Sequence, residues 1–134
     1  MTLVDAGPLA AFVNLRDQHH KRCLKVFQKF REPFGTVWPA LTEAMYLLAD
    51  LPRAQDSVLE MLALRTIQIL PLDRSDVPRI RELMYKYADL PMDFADAALV
   101  RVAERENIRQ IFTVDKRDFA VYRLHGRIRL NVIP

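Results

Sequence analysis

Apolar and β-branched residues recur along the chain in five short runs of strand length. Longer segments separate these runs, and in them apolar residues repeat every three or four positions, as on one face of a helix. The predicted strands are Thr2–Asp5, Phe34–Val37, Thr66–Leu70, Gln110–Val114 and Ile128–Val132. The predicted helices are Pro8–Asn14, His20–Phe30, Pro39–Asp50, Ala54–Leu64, Ser75–Ala88 and Phe94–Asn107.

The alternation of strands and helices predicts the fold class. Strands that are connected by helices form a parallel sheet with helices on both faces, which is a three-layer α/β fold. In the second predicted helix, Cys23, Val26, Phe27 and Phe30 make one apolar stripe, so Cys23 is predicted to lie in the core. Neither a repeat nor a flexible linker divides the 134 residues, which predicts a single domain over residues 1–134.

Composition narrows the class of protein. A single cysteine excludes an internal disulfide and a zinc site built from thiolates of this chain alone. No apolar run approaches the roughly 20 residues that span a bilayer, and no signal-peptide pattern opens the sequence. We therefore expect a cytoplasmic protein that does not enter a membrane.

Four acidic residues fall where ligands gather in such folds, outside the carboxyl ends of the strands. Asp5 ends the first predicted strand and Asp115 follows the fourth. Glu43 lies in the first turns of a predicted helix, and Asp96 lies in the first turn of another. Because strand ends and helix starts face the same edge of the sheet, these four side chains are predicted to converge.

Helix capping is the ordinary explanation for an acidic residue near a helix start. Asp93 fits it well, and we assign Asp93 mainly to capping the helix that contains Asp96. Asp118 either caps a short turn or touches the rim of the site, with capping favoured. Asp5 fits it least, because Pro8 suits the first helical position and Gly7 would then be the cap.

Four converging carboxylates repel one another, so they must protonate or bind cations. Oxygen ligands favour a hard divalent ion, Mg²⁺ or Mn²⁺. The histidines do not suggest zinc, since His19 and His20 are adjacent and His125 is isolated. Without a phosphate-binding glycine loop or a Ser-His pair, the pattern points to a metal-activated water that attacks a phosphodiester.

The distribution of charge agrees with a nucleic-acid substrate. Setting the four acidic residues aside raises the formal net charge from +3 to +7. Basic residues follow the last of them, and they are either a phosphate-binding surface or a merely solvated tail. These residues are Lys116, Arg117, Arg123, Arg127 and Arg129.

Four segments together resemble the acidic motifs of the PIN domain family, in particular its VapC-like ribonuclease toxins. They are LVDAGPLAAFVN with Asp5, WPALTEAMYLL with Glu43, DFADAALVRVAERENI with Asp96, and IFTVDKRDFAVYR with Asp115. The resemblance covers nearly the whole chain and is weakest between about Leu51 and Lys86. It implies a five-stranded parallel sheet and a metal-dependent endoribonuclease, with those four acids as metal ligands and Thr113 in support.

The resemblance also implies partners, and it leaves alternatives open. Many relatives form homodimers and are silenced by a small antitoxin, and we expect a dimer through the helical pair Pro39–Leu64. Other PIN domains process RNA without an antitoxin or serve only as scaffolds. A receiver-like phosphoacceptor domain using Asp5, Asp73, Thr113 and Lys116 is a further alternative, which would leave Glu43 and Asp96 without a role.

Overall fold

The computed structural model describes residues 1–134 and contains seven β-strands. The strands are β1 Thr2–Val4, β2 Phe34–Thr36, β3 Ile67–Ile69, β4 Gln110–Phe112, β5 Arg123–Leu124, β6 Ile128–Arg129 and β7 Asn131–Ile133. Five of them form a central parallel sheet in the order β3-β2-β1-β4-β7, and β5 and β6 form a separate antiparallel hairpin. The predicted α/β fold with a five-stranded parallel sheet is thus confirmed.

Seven helices connect and cover the strands. They are α1 Ala6–Val13, α2 His20–Lys29, α3 Trp38–Leu47, α4 Pro52–Ala63, α5 Val77–Lys86, α6 Phe94–Glu106 and α7 Lys116–Val121. A 3-10 helix over Arg74–Asp76 precedes α5. None of these helices has the length and apolar character needed to cross a membrane.

Two hydrophobic clusters cover the two faces of the sheet, because neighbouring residues of a strand point to opposite sides. Leu3 and Ile111 belong to one cluster, whereas Val4 and Phe112, the next residues along β1 and β4, belong to the other. Cys23 is fully buried in the second cluster, as the stripe on its helix predicted. The three layers follow from this alternation.

The end of the chain differs from its prediction. The predicted fifth strand Ile128–Val132 is divided, since Ile128–Arg129 closes the hairpin and only Asn131–Ile133 joins the sheet beside β4. A tight turn makes the hairpin, with His125 and Gly126 at φ angles of 51° and 74°. The run looked continuous because Leu130, between the two strands, is itself buried in the core.

The start of α1 also corrects the prediction. The helix begins at Ala6, so the cap is Asp5 and not Gly7. The chain therefore passes from β1 into α1 without a loop. Gly7 has a packing role instead, because a Cβ atom there would lie 2.5 Å from Val114 Cγ2.

Buried ion pairs hold α6 to the segment around α5. The Asp76 carboxylate accepts bonds of 2.8 Å from Arg101 Nε and from Arg105 Nη1. Arg79 forms a similar pair with Glu104, whose carboxylate is 1% exposed. These contacts anchor the helix that carries Asp96.

Candidate active site

Thr113 joins two acidic residues at the carboxyl ends of β1 and β4. Its side chain is fully buried. The hydroxyl donates to Asp5 Oδ2 at 3.0 Å and accepts the backbone N–H of Asp115 at 3.0 Å. A single side chain therefore fixes the Asp5 carboxylate relative to the backbone that presents Asp115.

Asp5 is the most deeply buried carboxylate of the site, at 8% exposure. Besides the Thr113 bond it accepts the N–H of Ala6 at 2.8 Å. Burial raises the pKa of Asp5, and the negative charges of Asp93 and Asp115 add to that rise, while its two hydrogen bonds oppose it. The ionised carboxylate is thus held at a cost that a cation would lower.

Glu43 and Asp93 face each other across the starts of two helices. Glu43 is half-buried on α3, and Asp93 precedes α6. Burial, contact with the Asp93 carboxyl and the charges of Asp93 and Asp5 raise the pKa of Glu43 to about 7. Asp93 also caps α6 by accepting the N–H of Asp96 at 2.8 Å, so the predicted cap is confirmed. The same carboxylate therefore serves the helix and adjoins the site.

Asp96 is held by a residue that sequence reasoning missed. The hydroxyl of Tyr122 donates to Asp96 Oδ2 at 2.8 Å. Burial and the charges of three neighbouring acids raise the pKa of Asp96 to about 8, although the tyrosine bond acts in the opposite direction. Burial also raises the pKa of Tyr122, and the charge of Asp96 reinforces the effect, so the phenol stays protonated as a donor.

No sequence signal separates Tyr122 from an ordinary core aromatic. Its ring is fully buried and packs edge-on against Tyr87 and Phe119, with centroid distances of 5.0 and 5.2 Å. Only the hydroxyl reaches the site, from a position 26 residues beyond Asp96. The apolar ring is therefore fixed by the core and aims its polar end at the acidic edge.

Asp118 corrects the prediction that favoured capping. It lies inside the first turn of α7, where Asp115 occupies the cap position, and it makes no capping bond. Burial together with the charge of the neighbouring Asp115 raises the pKa of Asp118. Asp118 thus belongs to the rim of the acidic site.

Six carboxyl groups lie close enough at this edge for their negative charges to act on one another, and none of them forms an ion pair. They are Asp5, Glu43, Asp93, Asp96, Asp115 and Asp118. No three acidic, histidine or cysteine side chains stand in a ready-made arrangement for a metal ion. The donor set itself, oxygen only and without a counter-cation, fits a hard divalent cation.

The basic residues around the site divide into two groups. Lys116 and Arg117 are exposed directly after Asp115, and Arg127 and Arg129 are exposed on the hairpin. Arg123 has a structural contact instead, because its Nη1 donates to the last carbonyl groups of the α7 region at 2.7 to 3.0 Å. Those bonds satisfy the end of a helix, where a cation is favoured.

Comparison with known proteins shows similarity to proteins named VapC. The chain is 26% identical to ribonuclease VapC26 of Mycobacterium tuberculosis, over 98% of this chain and 99% of the relative. Among solved structures, VapC20 of Mycobacterium tuberculosis, a toxin that cleaves the sarcin-ricin loop, gives a TM-score of 0.80 at 17% identity, covering 87% of this chain and 92% of that one.

Two solved complexes share the fold as well. VapBC2 from Rickettsia felis, bound to a DNA fragment from its promoter, gives a TM-score of 0.68 at 14% identity, covering 99% of this chain and 98% of that one. A toxin-antitoxin complex from Klebsiella pneumoniae gives 0.66 at 17% identity, with coverage of 100% and 97%.

The family follows from a match over most of the chain. Residues 2–124 match the family model described as PIN domain. The receiver-like alternative is therefore wrong, and the Asp73 carboxylate that it required caps the 3-10 helix by accepting the N–H of Ser75 at 2.8 Å. The chain belongs to the PIN domain family.

Proposed function

We propose that this protein is an endoribonuclease that hydrolyses RNA phosphodiester bonds with a divalent metal ion held by Asp5, Glu43, Asp96 and Asp115. The observation that carries the proposal is the collection of carboxylates at one edge of the sheet without a counter-cation. The similarity to a protein named as a ribonuclease supports RNA as the substrate.

Asp5, Glu43, Asp96 and Asp115 would hold a magnesium or manganese ion, which would activate a water for attack and offset negative charge on the phosphate. The residues of the chain position the ligands. Thr113 fixes Asp5 and the backbone at Asp115, Tyr122 fixes Asp96, and Asp93 holds the start of α6. The charges of neighbouring acids raise the pKa values of Asp5, Glu43 and Asp96, and a bound cation would lower this electrostatic cost.

The exposed cations beside the acidic edge complete a nuclease surface. Lys116 and Arg117 follow Asp115 directly and form no ion pair. We propose that they contact phosphates that flank the cleaved bond, because the acidic centre itself repels the RNA backbone unless it holds a cation. Arg123 contributes less to this surface, since its guanidinium bonds carbonyl groups of its own chain.

The test of the function is cleavage of RNA by the purified protein with and without metal. We expect cleavage that requires Mg²⁺ or Mn²⁺ and stops in excess EDTA. The products should lack 2′,3′-cyclic phosphate ends, because in the proposed reaction a metal-activated water attacks the phosphorus in place of the substrate's own 2′-hydroxyl. Undiminished cleavage in EDTA, with metal content verified, would contradict the metal-dependent reaction.

We further propose that the protein is the toxin of a toxin-antitoxin pair, since two solved proteins with this fold are in toxin-antitoxin assemblies. A PIN ribonuclease that processes RNA without an antitoxin is the alternative. Expression of the chain alone should arrest growth, and co-expression with a short neighbouring gene should relieve the arrest. Growth that is unaffected by the catalytically active chain would favour the processing enzyme.

We propose a homodimer through α3 and α4, where large apolar side chains remain exposed. Tyr46 is 81% exposed, Leu47 58% and Leu59 52%. Leu48, which lies within the predicted helical pair Pro39–Leu64, is fully buried and belongs to the core, so it is not part of this surface. Light scattering of the protein without a partner should give twice the mass of the chain, and a monomer at high micromolar concentration would contradict the dimer.

A further inference from the structure

A cleft with two aromatic side chains adjoins the acidic cluster. Trp38 is the first residue of α3 and Phe94 is the first residue of α6. Both line a cavity of about 460 Å³, which also contains Glu43 and Asp93 in its wall. The cleft therefore adjoins the acidic cluster through Glu43, which we propose as a metal ligand.

These two aromatic rings do not pack in the hydrophobic core. Trp38 is 58% exposed and Phe94 is 52% exposed, and neither belongs to a hydrophobic core cluster. Aromatic side chains of this size gain most when a partner covers both the ring and its surroundings. Two such rings at the starts of adjacent helices, beside a reaction centre, indicate a flat apolar ligand.

The charge of the cleft selects among ligands. Carboxyl groups of Glu43 and Asp93 disfavour a phosphate in the cleft itself, whereas they accept hydrogen bonds from the amino groups of nucleobases. Every nucleobase also has a face that stacks on an aromatic ring. An unpaired base thus matches both the rings and the acidic wall, while its own phosphates lie outside.

We propose that the cleft between Trp38 and Phe94 is a subsite that stacks one unpaired base of a single-stranded RNA substrate beside the bond to be cleaved. This inference rests on the proposed ribonuclease function and adds a positioning site to it. The stacked base holds the RNA strand in register with the acidic centre. Recognition of an exposed base by aromatic stacking also favours single-stranded over double-helical RNA.

Trp38 is the only tryptophan of the chain, so its fluorescence reports on the cleft directly. The first experiment titrates the Asp96→Asn protein, which should not cleave, with a short oligocytidine RNA. We expect saturable quenching of Trp38, because stacking brings the base into contact with the indole. An abasic oligonucleotide of the same length keeps the phosphates and should cause little quenching.

The second experiment measures cleavage by ring variants. Trp38→Ala should lower kcat/KM by about 5- to 150-fold, the range expected for loss of one stacked base, and most of the change should fall on KM. Trp38→Phe should recover much of the loss. Tyr85→Ala is the matched control, since Tyr85 is 89% exposed on α5 and does not line the cleft. Circular dichroism checks that each variant is folded.

The two experiments separate this inference from the function on which it rests. If wild-type protein cleaves RNA but Trp38 fluorescence does not respond to oligocytidine, or responds equally to the abasic strand, the base-stacking subsite is wrong and the ribonuclease stands. In that case the two exposed rings would be explained by contact with a protein partner. If the wild-type protein cleaves no RNA while Trp38 is still quenched selectively by bases, the proposed reaction is wrong but the subsite is supported.

Discussion

Replacing Asp96 with asparagine should stabilise the metal-free protein while it abolishes cleavage. The substitution keeps the shape of the side chain and an oxygen that accepts the bond from Tyr122. It removes an ionisable carboxyl from a cluster in which the charges of Asp5, Asp93 and Glu43 all raise the pKa of Asp96. Stability and activity are therefore expected to change in opposite directions.

The size of the effect follows from the pKa of Asp96, which is about 8 in the native protein. The native state keeps Asp96 mostly protonated at pH 7, which is about three units above the ordinary pKa of an aspartate in the unfolded chain. Each unit lowers the free energy of unfolding by about 1.4 kcal/mol, so removing the carboxyl can raise the free energy of unfolding by at most about 4 kcal/mol. The protonated carboxyl, like asparagine, is a neutral acceptor for Tyr122, so the substitution changes that bond little. Because Asp96 is only half-buried, solvent screening reduces the gain, and we expect about 2 to 3 kcal/mol, or roughly 6 to 12 °C in Tm.

The assay is thermal or urea unfolding in EDTA at pH 7, together with RNA cleavage in Mg²⁺. Asp56→Asn is the control, because Asp56 is an exposed carboxylate on α4, and such surface changes alter stability by about 0.5 kcal/mol or less. If the Asp96→Asn protein is less stable than wild type in EDTA, the carboxylates do not repel one another as described. Wild-type cleavage by this variant would refute the role of Asp96 as a ligand.

Three further predictions concern the cap, the buried ion pairs and pH. Asp93→Ala should be less stable than Asp93→Asn by about 1 kcal/mol in urea unfolding, because asparagine keeps the cap of α6 and both variants lose the charge. Equal stability would show that the cap contributes nothing. Asp76→Asn should cost about 3 to 5 kcal/mol in the same assay, since it leaves Arg101 and Arg105 without their buried partner, and a loss below 1 kcal/mol would contradict this. In EDTA, Tm should fall as pH rises from 5 to 8. Because the pKa values of Glu43 and Asp96 are raised in the native state, the native protein holds protons that the unfolded chain has lost. Saturating Mg²⁺ should reduce this fall in Tm. A metal-free Tm that rises over this range would refute the shared origin of these shifts.

The sheet could be predicted from the sequence because its signal is local. Each strand is a short apolar run, and adjacent residues such as Leu3 and Val4 fill opposite sides of the sheet. The same pattern gave a wrong strand at residues 128–132. Leu130 is buried between two separate strands, so the apolar run continues across the point where one strand ends and the next begins. The short helix α7 was missed because it buries only Phe119 and so lacks a helical stripe.

The candidate site was predictable only in part. Spacing places Asp5 and Asp115 at strand ends, but the bonds that link them pass through Thr113, whose role came from family resemblance. The contribution of Tyr122 depends on a tertiary contact that no periodicity reveals. Asp93 shows that capping and site membership are compatible, because one carboxylate does both.

Metal binding by the acidic cluster is the central claim, and calorimetric titration with Mn²⁺ measures it directly. Wild-type protein, purified without metal, should bind Mn²⁺ saturably, and Asp96→Asn and Asp5→Asn should bind it much more weakly, while the Asp56→Asn control binds as wild type does. Mn²⁺ binding that is absent from the folded wild-type protein, or undiminished in both site variants, would contradict the claim.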